Sequence, residues 1–168
     1  MLTIAAAALA PPGFEDLYRR RANDALRYAA VIAGPAEAED VCQEAWLRVW
    51  QHWDGSEPSR REAWALRIVR NCALQRVRWR RRRPVEPLNE LDLQPTAGVE
   101  DVVLTRLRAD EALGRIARLP STQRQTFFLR EIADLSYGEI AEIQQVPPGT
   151  VMSRLHAARR QIARTLPV

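Results

Sequence analysis

The chain has 168 residues, 46% of them hydrophobic and 27% charged, which suits one domain or two small ones with buried cores and excludes fibrous and wholly disordered classes. All 25 of its basic residues are arginines, set against 21 acids for a net charge of +4. Two cysteines (Cys42, Cys72) and two distant histidines (His52, His156) make neither a disulfide framework nor a zinc set, so no metal and no cofactor is expected.

The opening stretch Met1–Ala10 is apolar and alanine-rich but lacks a basic n-region, which argues against a signal peptide. No apolar run reaches the roughly 20 residues that span a bilayer, so no membrane insertion and a cytoplasmic location are expected. Helical periodicity then dominates. A first helix runs over Phe14–Ile32 and breaks at Gly34-Pro35. A second runs from about Ala36 to Trp53 and stops at the turn cluster 54–58. The third covers about Arg60 to Arg82 and ends before Pro84. Residues 84–98 hold three prolines, a glycine and no arginine, the composition of a linker. Four more helices follow: about Val99–Arg118, Ser121–Ala133, Ser136–Gln144 and Thr150–Leu166. The fold class is therefore all-α, two small helical domains joined by a flexible linker. Their bounds are an extension at 1–13, a first domain at 14–84, the linker at 85–103 and a second domain at 104–168.

Charge follows this division. Residues 61–83 carry nine arginines and one acid, residues 84–105 no arginine and five acids, and residues 106–168 ten arginines and six acids. Two basic surfaces on either side of an acidic tether are the electrostatic footprint of a nucleic-acid binder, although ordinary solvated faces would give the same count.

Each helix has its own pattern. In the second, Val41, Ala45, Val49 and Trp53 form the inward stripe with Cys42 and Trp46 beside it. Asp40, Gln43, Glu44, Leu47 and Gln51 lie across, with Trp50 at the edge. An acidic face carrying a leucine and a tryptophan suits protein docking; the plainer alternative is unremarkable surface. In the third, Leu66, Val69, Ala73 and Val77 form the core stripe, and 100° per residue sends Trp64, Arg67, Asn71, Gln75 and Arg78 to the opposite side. Arginines can follow phosphates while an aromatic ring and amides meet unstacked bases, so this face suits single-stranded nucleic acid. The alternative is that Trp64 folds back as core.

The tail carries the sharpest local signal. Ser136-Tyr-Gly-Glu139 is a capping box opening a short helix. Residues 146–149 (Val-Pro-Pro-Gly) force a turn, and Thr150 can open the next helix. There Val151, Leu155, Ala158 and Ile162 form one buried stripe, leaving Met152, Ser153, His156, Arg159 and Arg160 outward. Two helices joined by a tight turn, the second with a polar and basic face, describe a helix-turn-helix whose second helix enters the major groove.

These residues resemble a family. The run Ala38-Glu-Asp-Val-Cys-Gln-Glu-Ala-Trp-Leu-Arg-Val-Trp50 is similar to the region 2.2 helix of bacterial sigma factors. Residues 61–78 (Arg-Glu-Ala-Trp-Ala-Leu-Arg-Ile-Val-Arg-Asn-Cys-Ala-Leu-Gln-Arg-Val-Arg) resemble their regions 2.3 and 2.4. Leu119-Pro120 through Glu131, then residues 135–141, 148–151 and 153–156, resemble region 4. Two such blocks separated by a short linker resemble the extracytoplasmic-function (ECF) class of the sigma-70 family.

The resemblance implies a transcription initiation factor and not an enzyme. Asp40, Gln43, Glu44, Leu47 and Trp50 would dock on the clamp helices of the largest subunit of core RNA polymerase, and the second domain on the flap of the second-largest. The loop 54–61 and the face of Arg61, Trp64, Arg67, Arg70, Asn71 and Arg78 would take the −10 element of promoter DNA, helping to melt it. The last helix would read the −35 element through Thr150, Ser153 and His156, with Arg154 or Arg159 toward phosphates. An anti-sigma factor is implied as a further partner. Four positions depart from the family pattern: Gln75 stands where an acid is usual, Gln145 replaces the turn glycine, and Met152 and Ala157 occupy frequently basic positions. An alternative function is a sigma-like decoy that sequesters an anti-sigma factor, normally fused to a receiver-type α/β domain. Enzymatic chemistry would need paired carboxylates, an activated nucleophile or a metal set, and the residues form none of these.

Overall fold

A computed structural model describes residues 11–82 and 114–164, and the described elements are all helical. Three helices form the first unit: α1 (Phe14–Ala33), α2 (Pro35–Gln51) and α3 (Arg61–Arg82), with short 3₁₀ turns at Trp53–Gly55 and Pro58–Arg60. The second contains α4 (Ser121–Glu131), α5 (Tyr137–Gln144) and α6 (Pro148–Arg164). Residues 114–117 are helical; the rest of the helix expected at Val99–Arg118, and the linker at 85–103, lie outside the described residues.

Local chemistry explains the breaks. Glu15 and Asp16 place negative charge in the first turn of α1, where the helix dipole favours it. At the other end Gly34 adopts φ 98°, its N–H closes on the Ala30 carbonyl, and Pro35 starts α2 at a position that needs no N–H. The second helix ends at Gln51 rather than Trp53, because Trp53 turns inward in the 3₁₀ segment and its indole N–H donates to the Pro12 carbonyl at 3.1 Å.

The three helices of the first unit pack on one another along alanine-rich seams. Ala25, Ala29, Ala45, Ala65 and Ala73 are fully buried, and their small side chains let the backbones approach closely. Leu17, Val41, Val49, Leu66 and Val69 fill the spaces between, a buried leucine contributing about 1.5–3 kcal/mol. One end of the bundle is closed by aromatic rings: Phe14 lies edge-on to Trp53 at 5.4 Å, and Tyr18 to Trp46 at 5.0 Å. Cys42 and Cys72 are buried free thiols. Burial, with Cys72 nearby, pushes Cys42 up to about 11, and burial likewise raises Cys72.

In the second unit α6 packs on α4 and α5 through Val151, Leu155 and Ala158, the stripe expected from spacing, with Ile162 only half-buried. The capping box is present: Ser136 Oγ accepts from the Glu139 N–H at 3.3 Å, and Glu139 Oε2 accepts from the Ser136 N–H at 2.8 Å. At the far end of α5 Gln145 takes the left-handed conformation (φ 55°), and Val146 N–H closes on the Ala141 carbonyl at 3.0 Å, a Schellman stop. Helix α6 then begins at Pro148, not at Thr150. Thr150 sits inside its first turn, its own N–H bonded to the Pro147 carbonyl at 2.9 Å, so it is not the cap.

The two units share one core. Helix α5 lies on α3, and α4 on α1. The Tyr28 ring of α1 stacks on Phe128 of α4 with centroids 5.7 Å apart and planes 11° apart. Arg21 of α1 donates to the Ala133 carbonyl at 3.1 Å.

Candidate nucleic-acid and protein interfaces

The α3 face expected to meet a single strand divides in two. Asn71, Gln75 and Arg78 are exposed, and Arg81 and Arg82 extend the basic end. Arg61 is held at the start of the helix: its guanidinium lies 4.2 Å over the Trp53 ring and its Nε donates to Ser56 Oγ at 2.9 Å. Trp64 corrects the expectation. It is half-buried and packed against the core instead of standing outward, because α3 is covered on two sides, by α1 and α2 and again by α5. Arg67 and Arg70 are also only partly exposed. Arg70 lies beside the buried Tyr28. Burial pushes the Tyr28 hydroxyl well above the ordinary phenol range, against the pull of Arg70, Gln144 and Arg154.

On α2 the five candidate docking residues, Asp40, Gln43, Glu44, Leu47 and Trp50, are all exposed on one face. Leu47 is 50% exposed and Trp50 39%, an apolar pair that α2 leaves uncovered. Behind them Val41, Ala45, Trp46 and Val49 are buried, so the face is held on a rigid support. The acids have partners within the bundle. Arg76 of α3 reaches Asp40 at 3.1 Å and also pairs with Glu37, while Arg48 pairs with Glu44 one turn earlier.

In the helix-turn-helix, Met152, Ser153, His156, Arg159 and Arg160 stand on the exposed side of α6. Ser153 Oγ donates to the Thr150 carbonyl at 3.0 Å. The two arginines expected toward phosphates are engaged elsewhere. Arg154 turns inward and donates to Gln144 Oε1 at 2.9 Å, the oxygen that also lies 2.9 Å from the Thr126 hydroxyl. It therefore braces α6 against α4 and α5. Arg159 pairs with Glu131 at 2.6 Å. Glu139 is held below the usual carboxylate range, chiefly by the Ser136 hydroxyl and to a smaller degree by the Arg21 charge across the joint.

Sequence reasoning missed Arg21, Tyr28 and Gln144. Arg21 binds Glu62 of α3 at 2.8 Å, Asp24 at 3.0 Å and the Ala133 carbonyl, tying three elements together. A tyrosine and an arginine in an alanine-rich helix carry no local mark of such partners. Among the described residues no three His, Cys, Asp or Glu side chains converge as metal ligands, and no helix is long and apolar enough to cross a membrane.

Comparison with known proteins adds to this geometry. Residues 15–83 match the model for sigma-70 region 2, and residues 109–162 that for sigma-70 region 4. Among curated relatives, the chain is 34% identical over 160 residues to the ECF RNA polymerase sigma factor SigE of Mycolicibacterium smegmatis, covering 91% of this chain but only 61% of that protein's length. It is 35% identical to the ECF RNA polymerase sigma factor SigL of Mycobacterium tuberculosis, covering 89% of this chain and 86% of the relative. SigW of Bacillus subtilis, another ECF sigma factor, is 30% identical, with 77% and 75% covered. Among solved structures, the fold is similar to the sigma factor RpoE in complex with the anti-sigma factor NepR from Bartonella quintana, with a TM-score of 0.70, 21% identity and coverage of 89% of this chain and 96% of that one. It is also similar to CnrH in complex with the cytosolic domain of CnrY, with a TM-score of 0.64, 21% identity and coverage of 90% and 85%.

Proposed function

Because the chain belongs to the ECF class of the sigma-70 family, we propose that it is a transcription initiation factor, one that binds core RNA polymerase and directs it to specific promoters. The observation that carries this reading is the pairing of two unlike surfaces on rigid helical supports. One is the exposed acidic and apolar face of α2; the other is the helix-turn-helix, whose α6 shows Met152, Ser153, His156 and Arg160 above a buried stripe.

In this reading the α2 face of Asp40, Gln43, Glu44, Leu47 and Trp50 docks on the clamp helices of the polymerase. Leu47 and Trp50 supply apolar area at its centre, and the acids set its orientation. The loop 54–61 with Arg61, Trp64, Arg67, Arg70, Asn71 and Arg78 takes the −10 element as a separated strand. Removing a base from its stack costs a few kcal/mol, offset by stacking and pocket contacts. Helix α6 reads the −35 element through Ser153 and His156. With Arg154 and Arg159 already engaged, phosphate contact falls to Arg160 and to the backbone N–H groups at the start of α6. The second unit rests on the flap of the second-largest subunit. An anti-sigma factor covers these surfaces when the protein is silent; the similarity in fold to a sigma factor solved in complex with an anti-sigma factor supports that partner.

Run-off transcription with purified core polymerase on a library of randomised promoters, read by sequencing, tests the proposal. The expected result is a set of transcripts sharing one upstream and one −10 motif. No transcript from any template, together with no complex between chain and polymerase, overturns it.

A further inference from the structure

Helix α6 builds its outward side in a definite order. Pro148, Gly149 and Thr150 fill the first turn with small side chains, and Val151 turns into the core. Met152 is therefore the first long side chain to project outward, and it is 52% exposed. Ser153 and His156, also exposed, stand beside it at one residue and one turn along. These three side chains occupy the N-terminal part of the helix, the part of a recognition helix that meets base edges in the major groove.

The second unit is rich in arginine, yet residues 148–156 show no outward guanidinium. Arg154 turns inward to Gln144 Oε1, and Arg159 pairs with Glu131. Arg160 is exposed but lies about 12 Å further along the axis than Met152. The forked contact by which arginine selects guanine O6 and N7 therefore has no donor at this end of α6. Met152 offers something else. Its thioether has no donor and is at best a weak acceptor, so it selects by apolar contact. Among base edges in the major groove, the apolar group that matches it is the C5-methyl of thymine. An unbranched side chain with three rotatable bonds can reach and fit such a group. The fold does not call for an apolar residue here, since the buried stripe of Val151, Leu155 and Ala158 lies on the other side.

We infer that Met152 is a specificity-determining residue of the −35 contact: it reads the C5-methyl of a thymine, at a position where the helix presents no arginine to a guanine. The inference rests on the reading of α6 as the helix that enters the −35 element.

The test uses the full chain with core polymerase on a promoter recovered from the randomised library, its upstream element randomised again. Wild type, Met152→Ala and Met152→Arg are compared, with circular dichroism to check that helicity is retained. The wild type is expected to select a T·A pair at one position, and Met152→Ala to lose that preference while keeping the others. Met152→Arg should shift the same position toward guanine by about tenfold, the scale of one forked contact. Deoxyuridine in place of that thymine removes only the methyl group. It should lower wild-type transcription about fourfold, the value of one methyl kept from water, and that of Met152→Ala less than about twofold. Preferences that are the same in wild type and Met152→Ala at every position overturn the inference and leave the initiation reading standing. So does an equal effect of deoxyuridine on both proteins. No transcript from any template, with no complex between chain and polymerase, overturns the initiation reading and this inference with it.

Discussion

Replacing Ser136 with alanine tests the element that orients the helix-turn-helix. In the wild type the Ser136 hydroxyl accepts from the Glu139 N–H at 3.3 Å and donates to Glu139 Oε2 at 2.6 Å, while the Ser136 N–H donates to the same carboxylate at 2.8 Å. Alanine removes the first two of these. Loss of an N-cap serine costs about 0.5–2 kcal/mol, and Ser136 is exposed, so water recovers part of the hydroxyl's bonding and a loss of about 1 kcal/mol is expected. Glu139→Gln keeps an acceptor but loses the negative charge at the helix N-terminus, about 0.3–1 kcal/mol. The two residues bond each other directly, so the double variant should fall short of the sum by about 0.5 kcal/mol or more.

The dependence on pH has a definite sign. Glu139 is depressed in the folded state, first by the Ser136 hydroxyl, so its contribution is present above the ordinary carboxylate pKa and fades as pH falls through the folded value. Ser136→Ala removes the largest cause of that depression, so the stability gap between wild type and variant should narrow as acid is added. Urea unfolding followed by far-UV circular dichroism between neutral and acid pH measures it. A gap at pH 7 below about 0.3 kcal/mol, or one that widens in acid, refutes the account of the cap.

Three further outcomes are expected. Gln145→Gly should stabilise the chain by about 0.5–1 kcal/mol in the same unfolding assay, since Gln145 holds φ 55° in a conformation that glycine adopts without strain; destabilisation would count against the strain. Asp40→Arg with Glu44→Arg should reduce retention on immobilised core polymerase at least about tenfold, while unfolding free energy moves by no more than about 1 kcal/mol because both acids are in exposed pairs; normal retention would refute the docking face. Cys42, pushed up to about 11 by burial, should react with a disulfide reagent at pH 8 at least about tenfold more slowly than an unperturbed thiol, and at the ordinary rate in urea; rapid labelling of the folded chain would contradict the burial.

Helices, stops and stripes were legible in the sequence because the forces that set them are local. Periodicities of three and four residues place Val41 with Ala45 and Val49, or Val151 with Leu155 and Ala158, on one side of a helix whatever lies beyond it. The capping box at Ser136 and the break at Gly34-Pro35 depend on neighbours within a few positions. The same locality explains why the exposed face of α2 could be named residue by residue: its five members needed only to be opposite one buried stripe.

Tertiary structure decided what the outward sides of α3 and α5 meet. A helical wheel assumes one covered side, but α3 is covered on two, so Trp64 lies half-buried and Arg70 faces Tyr28. Arg21 finds Glu62 41 residues away and Ala133 112 residues away, separations over which an exposed-looking arginine carries no trace of its partners. Arg154 and Arg159 are drawn from the expected phosphate contacts to Gln144 and Glu131 for the same reason. Backbone periodicity is written in adjacent residues, whereas the pairing of one helix surface with another is a competition among all the surfaces the chain brings together, resolved only when they pack.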